Sequence, residues 1–296
     1  MRLIAAALAA TVVAGCAAPP AAEAPKMKPL AELLASSPAA DWRAIDPANT
    51  LYMELPGGRV VIELAPAFAP RHVANIRTLV RQRYFDGLAI VRAQDNYVAQ
   101  WGDPDEKKDL GAAKKTLAPE FTRASAGLAF AALTDRDTYA EAGFSMGFPA
   151  AREGSRAWLV HCYAMVGAGR ANEADSGNGA ELYAIIGNAP RLLDRNVTLV
   201  GRVVRGIELL STLPRGTGAL GFYEKPEQRA PIASARFASE VPAGERLRLE
   251  ALRTDSDTFR LLVEGRRFRK DDWYKEPAGH VDVCNVPLPV RESKGG

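Results

Sequence analysis

Cysteine is scarce: the 296 residues hold only Cys16, Cys162 and Cys284, with no pair at metal-binding spacing. A disulfide-dense miniprotein and a cysteine-rich zinc module are both excluded. Histidine is as rare, and His72, His161 and His280 stand apart from one another and from any acidic cluster at ligand spacing, so neither a metal nor a cofactor is expected. Charge of one sign is also lacking. With 38 basic and 35 acidic residues the net charge is +3, which offers no basic field for nucleic acid, and none is expected as a partner. No internal repeat is visible, and no apolar run is long enough to span a bilayer. What is present is 47% hydrophobic and 25% charged residues, the composition of one large or two small globular domains rather than of a disordered chain.

Met1-Arg2 followed by the apolar run Leu3 to Ala14 has the basic start and short apolar middle of a secretory signal. Val13-Ala14-Gly15-Cys16 resembles a bacterial lipobox, which implies removal of residues 1–15 and acylation of Cys16. The plainer alternative is an ordinary signal peptide with an incidental cysteine. A lipidated Cys16 would tether the protein to a membrane, and Ala17 in place of an aspartate resembles the pattern sorted to the outer membrane. The expected location is therefore the cell envelope, facing the periplasm. Residues 16–50 are rich in alanine and proline and read as an extended tether, with Leu30 to Leu34 able to form one helical turn.

Gly57-Gly58 marks a turn between Tyr52–Leu55 and Arg59–Leu64, a β-hairpin. Pro70 suits the first position of a helix, and Val73, Ile76, Leu79 and Val80 share one face, so a helix is predicted from Pro70 to near Arg83. Tyr84 to Gly87 reads as a turn and Leu88 to Arg92 as the next strand.

Val61-Ile62-Glu63-Leu64, Ala69-Pro70, Asn75, Tyr84-Phe85-Asp86-Gly87, Arg92 and Gln100-Trp101-Gly102-Asp103-Pro104 follow one another in the order and spacing of the cyclophilins. Matching segments resume at Asp175 to Tyr183 and at Leu193 to Gly206. The chain thus resembles a cyclophilin-type peptidyl-prolyl isomerase over residues 51–241. The resemblance implies a mainly β fold, a closed antiparallel eight-stranded barrel capped by two helices, with a peptide groove on its outer surface. Beyond the family pattern lie an insertion at about residues 122–162 and a C-terminal extension, residues 242–296.

An X-Pro bond rotates over a barrier of roughly 18–20 kcal/mol because nitrogen and carbonyl are conjugated. Lowering it takes a donor to the nitrogen as it pyramidalises and an apolar pocket for the ring, without a nucleophile, metal or cofactor. By resemblance Arg92 is the catalytic guanidinium and Gln100 its orienting partner. Tyr97, Val98, Glu181, Tyr183 and Leu193 fall on substrate-binding positions. The departures are Val91 for a common histidine, Ala93-Gln94-Asp95-Asn96 without the usual proline and glycine, Glu181 for glutamine, Leu192 for tryptophan, and Val197 for a polar or aromatic residue. Glu181 would pair with Arg92 if it faced it. Tyrosines at pocket positions keep the ring surface but need partners for their hydroxyls.

Gly143-Phe144-Ser145-Met146-Gly147 matches the G-x-S-x-G pattern of a hydrolase elbow, but its polar approach and Pro149 favour a glycine-rich loop. The insertion either covers the groove or packs as a surface excursion. In the extension, Arg246 to Leu252 and Phe259 to Val263 read as strand-like, and Arg266 to Lys270 as a solvated turn. Cys162 and Cys284 are either a bridge joining the two additions or two buried thiols.

Three functions follow as expectations. The first is an isomerase acting on X-Pro bonds of envelope proteins and assisting their folding. The second is a chaperone or assembly module that binds proline-containing segments with weak or no turnover. The third is an envelope lipoprotein using the barrel as scaffold. The partners expected are proline-containing polypeptides and, through the lipid, a membrane.

Overall fold

The computed structural model describes residues 28–293. The proposed signal peptide, the lipobox and Cys16 lie outside them. The hairpin forms as its turn signal predicts, Thr50–Leu55 pairing with Gly58–Leu64. The helix spans Pro70–Arg81 and buries Val73, Ile76, Leu79 and Val80. The strand after it runs Ala89–Ala93.

These strands belong to one antiparallel sheet of nine, not to a closed barrel of eight. Its order is Ala230–Pro231, Ala89–Ala93, Val98–Gly102, Leu182–Ile185, Met165–Ala168, Leu199–Arg205, Gly58–Leu64, Thr50–Leu55 and Ser234–Phe237. The two edge strands are consecutive in sequence, so the sheet curls back towards itself. Closure by a ladder fails because one edge is two residues long and ends in Pro231, which has no N–H to give. The link between the edges bridges the gap: Ile232 N–H donates to Leu88 C=O at 2.8 Å and Ala233 N–H to Glu54 C=O at 2.9 Å. Inside the curl lies a core that includes Leu51, Ile62, Ile76, Leu79, Phe85, Trp101 and Phe237.

The second family helix shrinks to one turn, Glu208–Ser211, because Pro214, Gly216 and Gly218 follow at once. The other helices lie outside the family pattern, Leu30–Ala35 and Asp257–Arg267. The latter corrects the strand-like reading of Phe259 to Val263. Ser256 caps it by accepting from Phe259 N–H at 3.2 Å, and Phe259, Leu262 and Val263 fall on one buried face.

Residues 123–159 form a second, five-stranded sheet in the insertion. The G-x-S-x-G stretch is a hairpin turn there. Met146 and Gly147 both have positive φ, 51° and 86°, as a type I′ turn requires, and Ser145 is buried in the strand Glu141–Ser145. This sheet, the outer face of the curled sheet and the Asp257–Arg267 helix share a core in which Phe144 meets Phe259 edge-on at 4.9 Å. Cys162 and Cys284 are bonded to each other, joining insertion to extension.

The tether reading of residues 16–50 stops short of the structure. Trp42–Ala44 is a strand paired with Leu249–Leu252, which in turn pairs with Val290–Glu292. Trp42 is buried, and Arg43 reaches Glu63 at 2.6 Å, with Arg202 on the same carboxylate at 3.3 Å. Among the described residues no helix is long and apolar enough to cross a membrane, and no group of side chains could hold a metal ion.

Candidate active site

Alternation along the strands decides which side chains face outward. In Val98–Gly102 and Leu182–Ile185, Ala99, Trp101, Leu182 and Ala184 point into the curl, which leaves Val98, Gln100, Tyr183 and Ile185 on the outer face. Pairing then aligns Arg92 opposite Gln100 and Gln100 opposite Tyr183, a row of three side chains across three strands. An irregularity between Ile90 and Arg92 resets the register that makes this row.

Beside the row opens a cavity of about 880 Å³. Arg92, Tyr97, Val98, Gln100, Glu181, Tyr183 and Leu193 all line it, so every groove residue named from the sequence converges there. No residue of the insertion does, and the cavity is left uncovered by it. Cys162 and Cys284 lie elsewhere.

The Arg92 guanidinium is fixed by three bonds. Nε donates to Leu220 C=O at 2.6 Å, Nη1 to Gln100 Oε1 at 3.0 Å, and Nη2 to Gln94 Oε1. A guanidinium has five N–H donors, so two have no protein partner among the described residues. The rings of Tyr97 and Phe222 flank it, 5.5 and 5.3 Å from Cζ. Burial lowers its pKa, opposed by the nearby Glu181 carboxylate. It stays charged at any working pH.

Arg92 can only donate, so the Gln100 oxygen must face it and the amide NH₂ must face away. That NH₂ donates to Glu181 Oε2 at 2.6 Å. Glu181 therefore reaches Arg92 through Gln100 and not as a direct pair. Burial raises the Glu181 pKa, the Gln100 bond opposes this, and Glu106 and Asp103 push it further up.

Of the two pocket tyrosines, Tyr97 is half-buried beside Arg92. Tyr183 is buried, and its hydroxyl bonds His161 Nε2 at 3.0 Å. Its ring packs close against Gly167, where an added Cβ would come within 2.3 Å of the phenol carbon and oxygen. Leu193 sits in the 3₁₀ turn Arg191–Leu193, with Val197 nearby on the cavity wall.

Sequence reasoning missed Gln94, Leu220, Phe222 and His161. Leu220 and Phe222 come from the glycine-rich stretch after the shortened helix, about 128 residues from Arg92 in the chain, and no local pattern points to them. For His161 a signal existed: the Tyr183 hydroxyl needed a partner.

A family model described as "Cyclophilin type peptidyl-prolyl cis-trans isomerase/CLD" matches residues 50–237, well over half of the chain. A protein of Brucella suis biovar 1 (strain 1330) named "Probable peptidyl-prolyl cis-trans isomerase" is 30% identical over 177 residues, 60% of this chain and 76% of its own length. A protein of the same name from Brucella abortus (strain 2308) matches to the same extent. The crystal structure of cyclophilin AquaCyp293 from Hirschia baltica superposes with a TM-score of 0.67 at 28% identity, covering 86% of this chain and 95% of that one. That coverage exceeds what residues 50–237 supply, so the likeness takes in part of the added segments. The chain belongs to the cyclophilin-type peptidyl-prolyl cis-trans isomerases.

Proposed function

We propose that this isomerase acts on X-Pro bonds of cell-envelope polypeptides and assists their folding, with Arg92 as the electrophilic donor. The proline ring rests on the apolar wall of Val98, Tyr183 and Leu193, with Tyr97 beside the guanidinium. As the amide twists, the nitrogen lone pair leaves conjugation with the carbonyl and localises on the pyramidal nitrogen, and an N–H of Arg92 donates to it. Gln100 sets the plane of the guanidinium, so the donor needs no rearrangement at the transition state. The observation that carries this reading is an anchored guanidinium with two unclaimed donors beside an apolar wall.

The envelope location rests on the lipobox-like Val13-Ala14-Gly15-Cys16, with acyl chains on Cys16 holding the protein to a membrane, the outer membrane by the pattern at Ala17. Fractionation of cells expressing wild type and Cys16→Ala tests it. Release of the variant into the soluble fraction is expected, and membrane retention of both forms refutes it.

Gln94 favours a second reading, a proline-segment binding module with weak turnover, because it occupies a guanidinium nitrogen that substrate would use. A cis/trans assay on X-Pro peptides, comparing wild type with Arg92→Ala, separates the two. Catalysis by wild type that vanishes in the variant supports the enzyme reading. Peptide affinity without acceleration supports the binding module.

A further inference from the structure

We propose that His161 is a positioning residue for the isomerase site, holding the Tyr183 hydroxyl away from the proline pocket so that a tyrosine presents only its ring. The inference rests on the groove reading above.

His161 comes from the end of the insertion, beside the bridged Cys162, and is wholly buried. Its Nδ1 lies 2.9 Å from Asp194 Oδ1, which also accepts the His161 backbone N–H at 3.0 Å. Arg191 Nε donates to Asp194 Oδ2 at 2.7 Å and grips Asp137 with its other two nitrogens at 2.8 and 3.1 Å. An ionised carboxylate only accepts, so Nδ1 carries a proton, and burial lowers the His161 pKa, which favours the neutral ring with Nε2 bare. The tyrosine O–H must then donate to Nε2, and its direction is fixed. A hydroxyl free to turn into the pocket would bring bound water to the place where the proline ring sits, and displacing that water would weaken binding. Asp194 directly follows Leu193, so the same chain of bonds fixes two walls of the pocket. The insertion thus acts on the groove from behind, without covering it.

The test is a double-mutant cycle on the full chain with steady-state isomerisation of one X-Pro peptide, with calorimetric binding of the same peptide as a second readout. His161→Leu frees the hydroxyl, and we expect KM and Kd to rise about tenfold while kcat changes less than twofold. In the Tyr183→Phe background there is no hydroxyl to direct, and the same substitution should leave KM within twofold of that background. His161→Phe runs through the same cycle should His161→Leu not fold, since it keeps a ring in the same space and offers the hydroxyl no acceptor. A KM unchanged by these variants, or raised equally in both backgrounds, overturns the positioning role. A wild type that neither turns over nor binds any X-Pro peptide overturns the groove reading itself, a distinct outcome.

Discussion

Arg92 and Glu181 meet only through Gln100, whose amide oxygen takes the guanidinium and whose NH₂ takes the carboxylate. A half-buried acid in that position is poised away from its ordinary value of 4.5, upward. Below that value Glu181 is neutral folded and unfolded alike. As pH rises the unfolded chain loses this proton first, so stability falls until the folded group also ionises. Glu181→Gln keeps an acceptor for Gln100 and removes the charge. It should melt higher than wild type at pH 7, with the gap shrinking by pH 4. Thermal melts at the two values check this, and a gap that is constant or widens towards pH 4 would refute it.

Arg92→Lys retains the charge but not the planar fork that reaches Leu220, Gln94 and Gln100 together. We expect kcat/KM to drop by about 10²-fold or more, in the range seen for loss of a transition-state donor, with the melting temperature little changed. Turnover within threefold of wild type would show that charge alone suffices.

Gly167→Ala would put a methyl against the Tyr183 ring, which His161 prevents from retreating. Overpacking of this kind costs about 1–3 kcal/mol, and a ring displaced towards the cavity it lines would narrow the groove. The expected result is a lower melting temperature together with a higher KM for X-Pro peptides. A destabilised variant with unchanged KM would mean that the ring yields elsewhere.

The Cys162–Cys284 bridge closes a loop of 122 residues. In the chain-entropy account such a closure stabilises by about 4–5 kcal/mol. Cys284→Ser should lose a comparable amount in urea denaturation, and reductant should then have no further effect on the variant. Equal midpoints for variant and oxidised wild type would count against the bridge as a structural element.

Local chemistry made much of this legible. A prolyl first turn and four apolar residues on one face gave the Pro70–Arg81 helix, and turn glycines gave the hairpin before it. Arg92 and Gln100 were legible as a pair through the family resemblance, and the pairing of their strands sets them opposite each other. Long-range pairing was not legible. Trp42–Ala44 reads as part of a proline-rich tether because its partner lies at Leu249–Leu252. Phe259 to Val263 reads as strand if periodicity is weighed without the Ser256 cap. The open sheet edge follows from Pro231, whose position in the ladder no sequence pattern fixes. The groove residues were nameable through the family resemblance, whereas Leu220, Phe222 and Gln94 reach Arg92 from loops that obey no period.

The pairing of Trp42 with Leu252 sets an order of assembly. Synthesis delivers the first strand about two hundred residues before its partner, an interval of roughly ten to forty seconds at 5–20 residues per second. During that time Trp42 has no native place to go, and the bridge to Cys284 is equally out of reach. The curled sheet, complete by Phe237, can form first, and the three-stranded sheet seals last, when the tail of the chain arrives. A nascent chain halted after Phe237 should therefore carry a finished groove and an exposed indole, a natural handle for the factors that escort unfinished proteins.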